Sequence, residues 1–210
     1  LGSAFFNLGK IDEAIEMHRR ALDELPENAF ARSNLGRALV EKGRIKEGIK
    51  ELELALRLRP AFAGAHNNMG VALMGQGKLQ DAIRHFSLAI KVNSDLAESR
   101  NNLGVALAQL GRFREAIATL KEGVQRHPED APLAYSLAWQ LSTAPRPEWR
   151  EGEAALRLMR KFMKNSGNRN PFVLNALAAA YADLGRFEEA VNTAREAASR
   201  ADEAGEKEMA

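Results

Sequence analysis

The sequence predicts an all-α solenoid built from antiparallel helix pairs, and three observations predict it. An apolar residue followed by glycine returns every 34 residues, at Leu1-Gly2, Leu35-Gly36, Met69-Gly70 and Leu103-Gly104, with Leu137-Ala138 at the next step. A turn glycine keeps the same register at Gly9, Gly43, Gly77 and Gly111. A small residue recurs a few positions later, at Ala14, Gly48, Ala82 and Ala116. Self-similarity at this period is the signature of helix pairs that bury their apolar faces only on their neighbours.

The elements follow from this register. The stretch Met69–Ala89 reads as two amphipathic helices joined by the turn Gln76-Gly77-Lys78. The first repeat, residues 1–28, is truncated. Leu1–Asn7 is the end of a first helix, the second helix runs from Lys10 or Ile11 to Leu25, and Pro26 ends it. Further repeats are expected at 29–62, 63–96 and 97–130. Pro60 and Pro128 fall between repeats, where a missing backbone N–H does least harm. Ile45, Ile49, Leu52, Leu56 and Leu79, Ile83, Phe86, Ile90 keep i, i+4, i+7 spacing and mark the core stripes of second helices. Small residues inside helices have their own reason. Gly costs about 1 kcal/mol relative to Ala in a helix, so a position that keeps taking Gly or Ala signals close approach of two helices.

The fifth repeat, 131–170, departs from the pattern. Leu133–Leu141 is a good first helix, with Pro132 tolerated in its first turn. The turn Ser142–Trp149 then holds two prolines and forbids a simple continuation. A second helix resumes near Gly152 or Glu153 and runs to Lys164. The step from Leu137 to Leu177 is 40 residues rather than 34, and the Pro145–Trp149 loop is expected to project from the edge of the solenoid. The sixth repeat, 171–204, carries Leu177-Ala178, Tyr181, Gly185, Phe187, Ala190, Ala194 and Ala197. The tail from Ser199 is charged, and Glu206–Ala210 reads as the start of a capping helix. Because the chain opens inside a first helix, it is expected to be a fragment of a longer protein.

These residues resemble the tetratricopeptide repeat family. Its pattern of Leu-Gly, turn Gly, small residue, bulky residue, Ala and Pro is met by Leu35-Gly36, Gly43, Gly48, Leu52, Ala55 and Pro60. It is met again by Met69-Gly70, Gly77, Ala82, Phe86 and Ala89, with Ser94 where Pro is usual. The resemblance covers essentially the whole chain. It implies a single right-handed superhelix with first helices on the concave side, and it implies protein–protein interaction rather than catalysis. The ending from Leu137 to Val191 also resembles the last repeats of bacterial members that follow a glycosyltransferase-like, often membrane-spanning, domain. That implies an alternative role as the substrate-binding or assembly domain of a larger enzyme. Both settings are compatible with a cytoplasmic chain or the soluble part of a membrane-anchored one.

Composition narrows the functions. Hydrophobic residues make up 45% and aromatics 6%, which suits interfaces of Ala, Leu and Gly. Thirty Lys and Arg against 28 Asp and Glu leave a net charge of +2. No basic run is interleaved with aromatics, so no nucleic-acid partner is expected. There is no cysteine, which excludes disulfides and thiolate metal sites. No apolar run of about 18 residues spans a membrane. His18, His66, His85 and His127 fall at different repeat positions and do not pair at i, i+4, and no metal-ligand spacing appears. No glycine-rich phosphate loop precedes a helix. Neither cofactor nor metal nor enzymatic activity is expected.

The candidate binding residues are polar positions on the first helices. Asn34, Asn68 and Asn102 each precede the apolar-Gly pair and lie 34 residues apart. An Asn amide offers two donors and an acceptor and can pair with both N–H and C=O of an extended peptide, each bond being worth about 1 kcal/mol. The ladder resembles that of the O-linked N-acetylglucosamine transferases, which implies contact with substrate polypeptide. It stops at Ser136 and Ala176. The alternative is structural: the amides satisfy neighbouring helices. Asn67 and Asn101 widen the polar strip and Arg37 lies one turn on. Tyr135, Trp139 and Asn175 continue the inner surface, with Trp139 either an anchor for a partner or packed on the extended loop. Some family members grip a C-terminal carboxylate with Lys and Asn one turn apart. Here the matching pairs are Ser33 with Arg37, Asn67 with Val71 and Asn101 with Val105, so that recognition is not expected. Self-association through Phe5 and Phe6 is a further possibility.

Overall fold

A computed structural model describes residues 2–167 and 169–203, the side chain of Glu203 excepted. Leu1, Asn168 in the loop before Pro171, and the expected capping helix Glu206–Ala210 lie outside the described residues. Among the described residues there are twelve α-helices and no strand. They are α1 (Gly2–Asn7), α2 (Ile11–Glu24), α3 (Ala29–Glu41), α4 (Ile45–Leu58), α5 (Ala63–Gly75) and α6 (Leu79–Val92). Then follow α7 (Ala97–Gln109), α8 (Phe113–Arg126), α9 (Ala131–Thr143), α10 (Gly152–Ser166), α11 (Pro171–Asp183) and α12 (Phe187–Glu203). The chain forms two compact units, Leu1–Ser99 and Arg100–Ala210, whose boundary falls inside α7.

In the first unit the helices pack as pairs across three-residue turns. Gly43 and Gly77 hold φ of +80° and +72° in those turns, a left-handed backbone that glycine adopts without a Cβ penalty. The small residues do what their cost suggested. A Cβ on Gly36 would lie 2.9 Å from the carbonyl oxygen of Gly48, and one on Gly48 would lie 2.7 Å from that of Gly36. α3 and α4 therefore touch backbone to backbone at this crossing. Leu52, Met69 and Ala72 form the buried centre of the next layer, with Ile45, Ile49 and Leu56 packed around them. Phe86 is fully buried and its ring fills the space that a side chain at Gly70 would take.

The second unit fastens its inner helices at their starts. Asp130 accepts a hydrogen bond from the N–H of Leu133 at 2.9 Å, and Asn170 accepts one from Val173 at 2.9 Å. Each is followed by proline in the first turn, Pro132 and Pro171. Side-chain caps of this kind contribute about 1 kcal/mol each, and proline there is pre-set for the helix. Leu133, Leu141, Met159, Val173 and Leu174 are fully buried or nearly so and form the core beneath these helices.

The Pro145–Trp149 loop is exposed over residues 145–148 and is tied down where it rejoins the helices. Pro147–Trp149 forms one 3-10 turn. The Arg150 Nε donates to the Ala144 carbonyl at 2.7 Å, and the Glu151 N–H donates to the Leu141 carbonyl at 2.7 Å. The Trp149 ring rests against Phe113 with centroids 6.0 Å apart. The physical reason is that an exposed indole gains by covering another aromatic ring, and the two carbonyls at the end of α9 need donors.

Candidate functional site

Each unit carries grooves along the first helices of its pairs. In the first unit a cavity of about 270 Å³ is walled by Phe6, Arg37, Val40, Glu41, Asn68, Val71 and Glu98. A smaller one of about 180 Å³ adjoins Asn34 and Arg37. The Arg37 guanidinium lies 3.8 Å over the Phe6 ring, so the one aromatic here is covered by a cation. The amide nitrogen of Asn34 donates to the Ser3 hydroxyl at 3.4 Å, and that of Asn68 to the Ser33 hydroxyl at 3.1 Å. Both asparagines thus tie one inner helix to the preceding one, while their Oδ1 atoms accept nothing among the described residues. Asn67 sits elsewhere. It is 2% exposed, and its Oδ1 accepts from the Ser99 hydroxyl at 2.9 Å. Burial between helices removes Asn67 from the groove wall.

In the second unit one groove encloses about 540 Å³. α9 contributes Tyr135, Trp139 and Gln140, and α11 contributes Phe172 and Asn175. Gln109 from the end of α7 and Phe113 from the start of α8 close one side. Tyr135 and Trp139 are one turn apart on the same face of α9. Tyr135 stacks on Phe172 with centroids 5.5 Å apart and an interplanar angle of 20°. Burial pushes the Tyr135 phenol above its ordinary pKa, with the nearby Asp130 charge adding to it, so it is a neutral hydroxyl at physiological pH. Trp139 remains 46% exposed, while Trp149 of the extended loop rests against Phe113. The structure therefore brings Tyr135, Trp139 and Asn175 together. Asn101 and Asn102 are half-buried on α7 and line neither groove.

Sequence reasoning missed Phe172 and Gln140. Phe172 stands three residues before Asn175 on α11, so helical spacing alone would have placed it on the same face. It also missed a histidine pair. His66 and His85 approach through their Nδ1 atoms at 3.1 Å, across α5 and α6. The Nε2–H of His66 donates to the Pro60 carbonyl at 2.9 Å. One of the two facing Nδ1 atoms carries the proton that the other accepts. Burial lowers the pKa of His85, and the neighbouring His66 and Arg84 lower it further. No i, i+4 rule could find this pair, because its members are 19 residues apart on facing helices. Among the described residues no group of three or more metal-ligating side chains exists, and no helix is long and apolar enough to cross a membrane.

A chain of antiparallel helix pairs, with grooves along the first helices of the pairs in each unit, belongs to the class of repeat folds that support protein–protein interaction. Sequence comparison identifies the family. Residues 67–131 match a family described as tetratricopeptide repeat, residues 36–77 one described as TPR repeat, and residues 171–196 another described as tetratricopeptide repeat. Together these matches span more than half of the chain, which belongs to the tetratricopeptide repeat family. No match in sequence was found among curated proteins.

Solved structures agree on the fold. PilW, a type IV pilus biogenesis factor, superposes with a TM-score of 0.78 at 18% identity, over 94% of this chain and 89% of that one. PilF of Pseudomonas aeruginosa gives 0.77 at 19% identity, over 94% and 87%. YrrB, described as a TPR protein with an unusual peptide-binding site, gives 0.64 at 17% identity, over 88% and 92%.

Proposed function

We propose that this chain is a non-catalytic scaffold that holds an extended segment of a partner polypeptide along its inner helices. The observation that carries the reading is the groove of the second unit. It gathers Tyr135, Trp139 and Asn175, chosen from sequence as inner-surface residues, and leaves Trp139 open to solvent. Large exposed aromatics in a groove are the side chains that most often dominate binding energy. In the first unit, Asn34 and Asn68 keep amide oxygens available to a peptide N–H. The peptide-binding site named for YrrB, which shares the fold, supports the same direction.

The test is capture of polypeptide by the full chain, compared with a variant carrying Asn34→Ala, Asn68→Ala and Trp139→Ala, with circular dichroism to establish that both fold. The reading expects the wild type to retain partners that the variant loses. Equal capture by both would move the binding surface to the outer helices and sink the proposal.

A further inference from the structure

We infer that the groove of the second unit selects an extended segment presenting a bulky uncharged apolar side chain, aromatic or aliphatic, and rejects acidic or basic residues at that point. The inference rests on the scaffold reading above and specifies the partner's chemistry. Three observations carry it. First, no residue lining this groove is charged. A charge moved from water into such a surface has no counter-charge to meet and its desolvation goes uncompensated. The first unit's groove, with Arg37, Glu41 and Glu98 on its wall, offers the opposite environment.

Second, the apolar surface is preorganised. Tyr135 and Phe172 already stack on each other, and both ride on helices fixed by side-chain caps and first-turn prolines. A ring or branched aliphatic group entering beside Trp139 meets a surface that needs no rearrangement, which lowers the entropic cost of binding. Third, the rim is supplied with amides. The side chains of Gln109, Gln140 and Asn175 make no hydrogen bond among the described residues. Each offers donors and an acceptor to a peptide backbone without reading its side chains. An apolar floor with a few convergent polar groups is the usual build of a pocket that fixes one side chain and its flanking backbone. Its volume of about 540 Å³ falls in the range of such pockets.

The experiment uses the full chain carrying Trp149→Phe, which keeps a ring against Phe113 and leaves Trp139 as the sole tryptophan. The probes are capped short peptides with neutral Gly, Ser and Asn flanks and a central Phe, Leu, Asp or Lys. Binding is read by Trp139 emission and by calorimetry. The Phe and Leu peptides should bind with a change in Trp139 emission. The Asp and Lys peptides should bind at least about tenfold more weakly. Trp139→Ala, read by calorimetry, should weaken the Phe peptide by a similar factor, and Trp139→Phe should largely restore it. Equal binding of the four peptides, or Phe-peptide affinity unchanged in Trp139→Ala, would overturn the inference while leaving the scaffold reading intact. If no peptide binds and polypeptide capture also fails, both fall together.

Discussion

Arg37 and Trp139 stand at the same position of their helices, three 34-residue steps apart, with Val71 and Val105 between them. In the first unit that position holds a cation lying across Phe6, and the adjoining wall is charged. In the second it holds an exposed indole beside a stacked Tyr135–Phe172 pair, in a groove without charge. One backbone position thus serves two chemistries. The repeat dictates where a side chain points, and the residue placed there decides the chemistry it presents. A solenoid can carry different recognition along its length without altering its helix packing, because packing depends on the glycine, alanine and core positions instead.

The comparison can be broken most severely at the packing itself. Gly48→Ala sets a Cβ against the backbone oxygen of Gly36 and the side chain of Val40. Overpacking of this kind costs about 1–3 kcal/mol, against about 1 kcal/mol gained in helix propensity. Gly104→Ala in the second unit meets only side-chain atoms of Leu120. Urea denaturation should therefore show the larger loss for Gly48→Ala, and equal losses would refute the backbone-contact argument.

The next largest effect is expected from exchanging the chemistries. Trp139→Arg should weaken a neutral Phe-containing peptide by about tenfold or more, about 1.4 kcal/mol, with unchanged circular dichroism. Titration calorimetry reads it directly. A smaller effect is expected from Arg37→Ala, which uncovers Phe6. Loss of a cation–π contact of this exposure costs about 0.5–1 kcal/mol, visible as a lowered thermal midpoint. An unchanged midpoint would mean that the guanidinium over Phe6 contributes nothing to stability.

The finest distinction is in pH. The folded pKa of His85 lies below its ordinary value of 6.5. As pH falls through 6.5 the unfolded chain takes up a proton that the folded one does not, so stability declines until the folded ring also protonates. His18, whose pKa burial also lowers, acts in the same sense. Thermal midpoints should fall between neutral pH and about pH 5, and His85→Gln should flatten that slope. Peptide binding to the second unit's groove should not change over the same range, because its lining holds no histidine or carboxylate. A binding curve that follows the histidine titration would contradict the separation of the two regions.

Much of this was legible in the sequence. The 34-residue register placed the helices and their turns, because the left-handed turn and the close helix crossing each admit so few residue types that they repeat visibly. It also marked Tyr135, Trp139 and Asn175, since helical spacing carries the inner face forward from the asparagine ladder. Tertiary structure alone decided the rest. Asn67 and Asn68 are neighbours in sequence, yet one is buried against Ser99 and the other lines a groove, because a turn of roughly 100° per residue separates their directions. The pairing of His66 with His85, the cover of Phe6 by Arg37 and the return of Trp149 onto Phe113 depend on distances across helices. No local pattern encodes those distances; they arise only when the packed faces bring separate stretches of chain together.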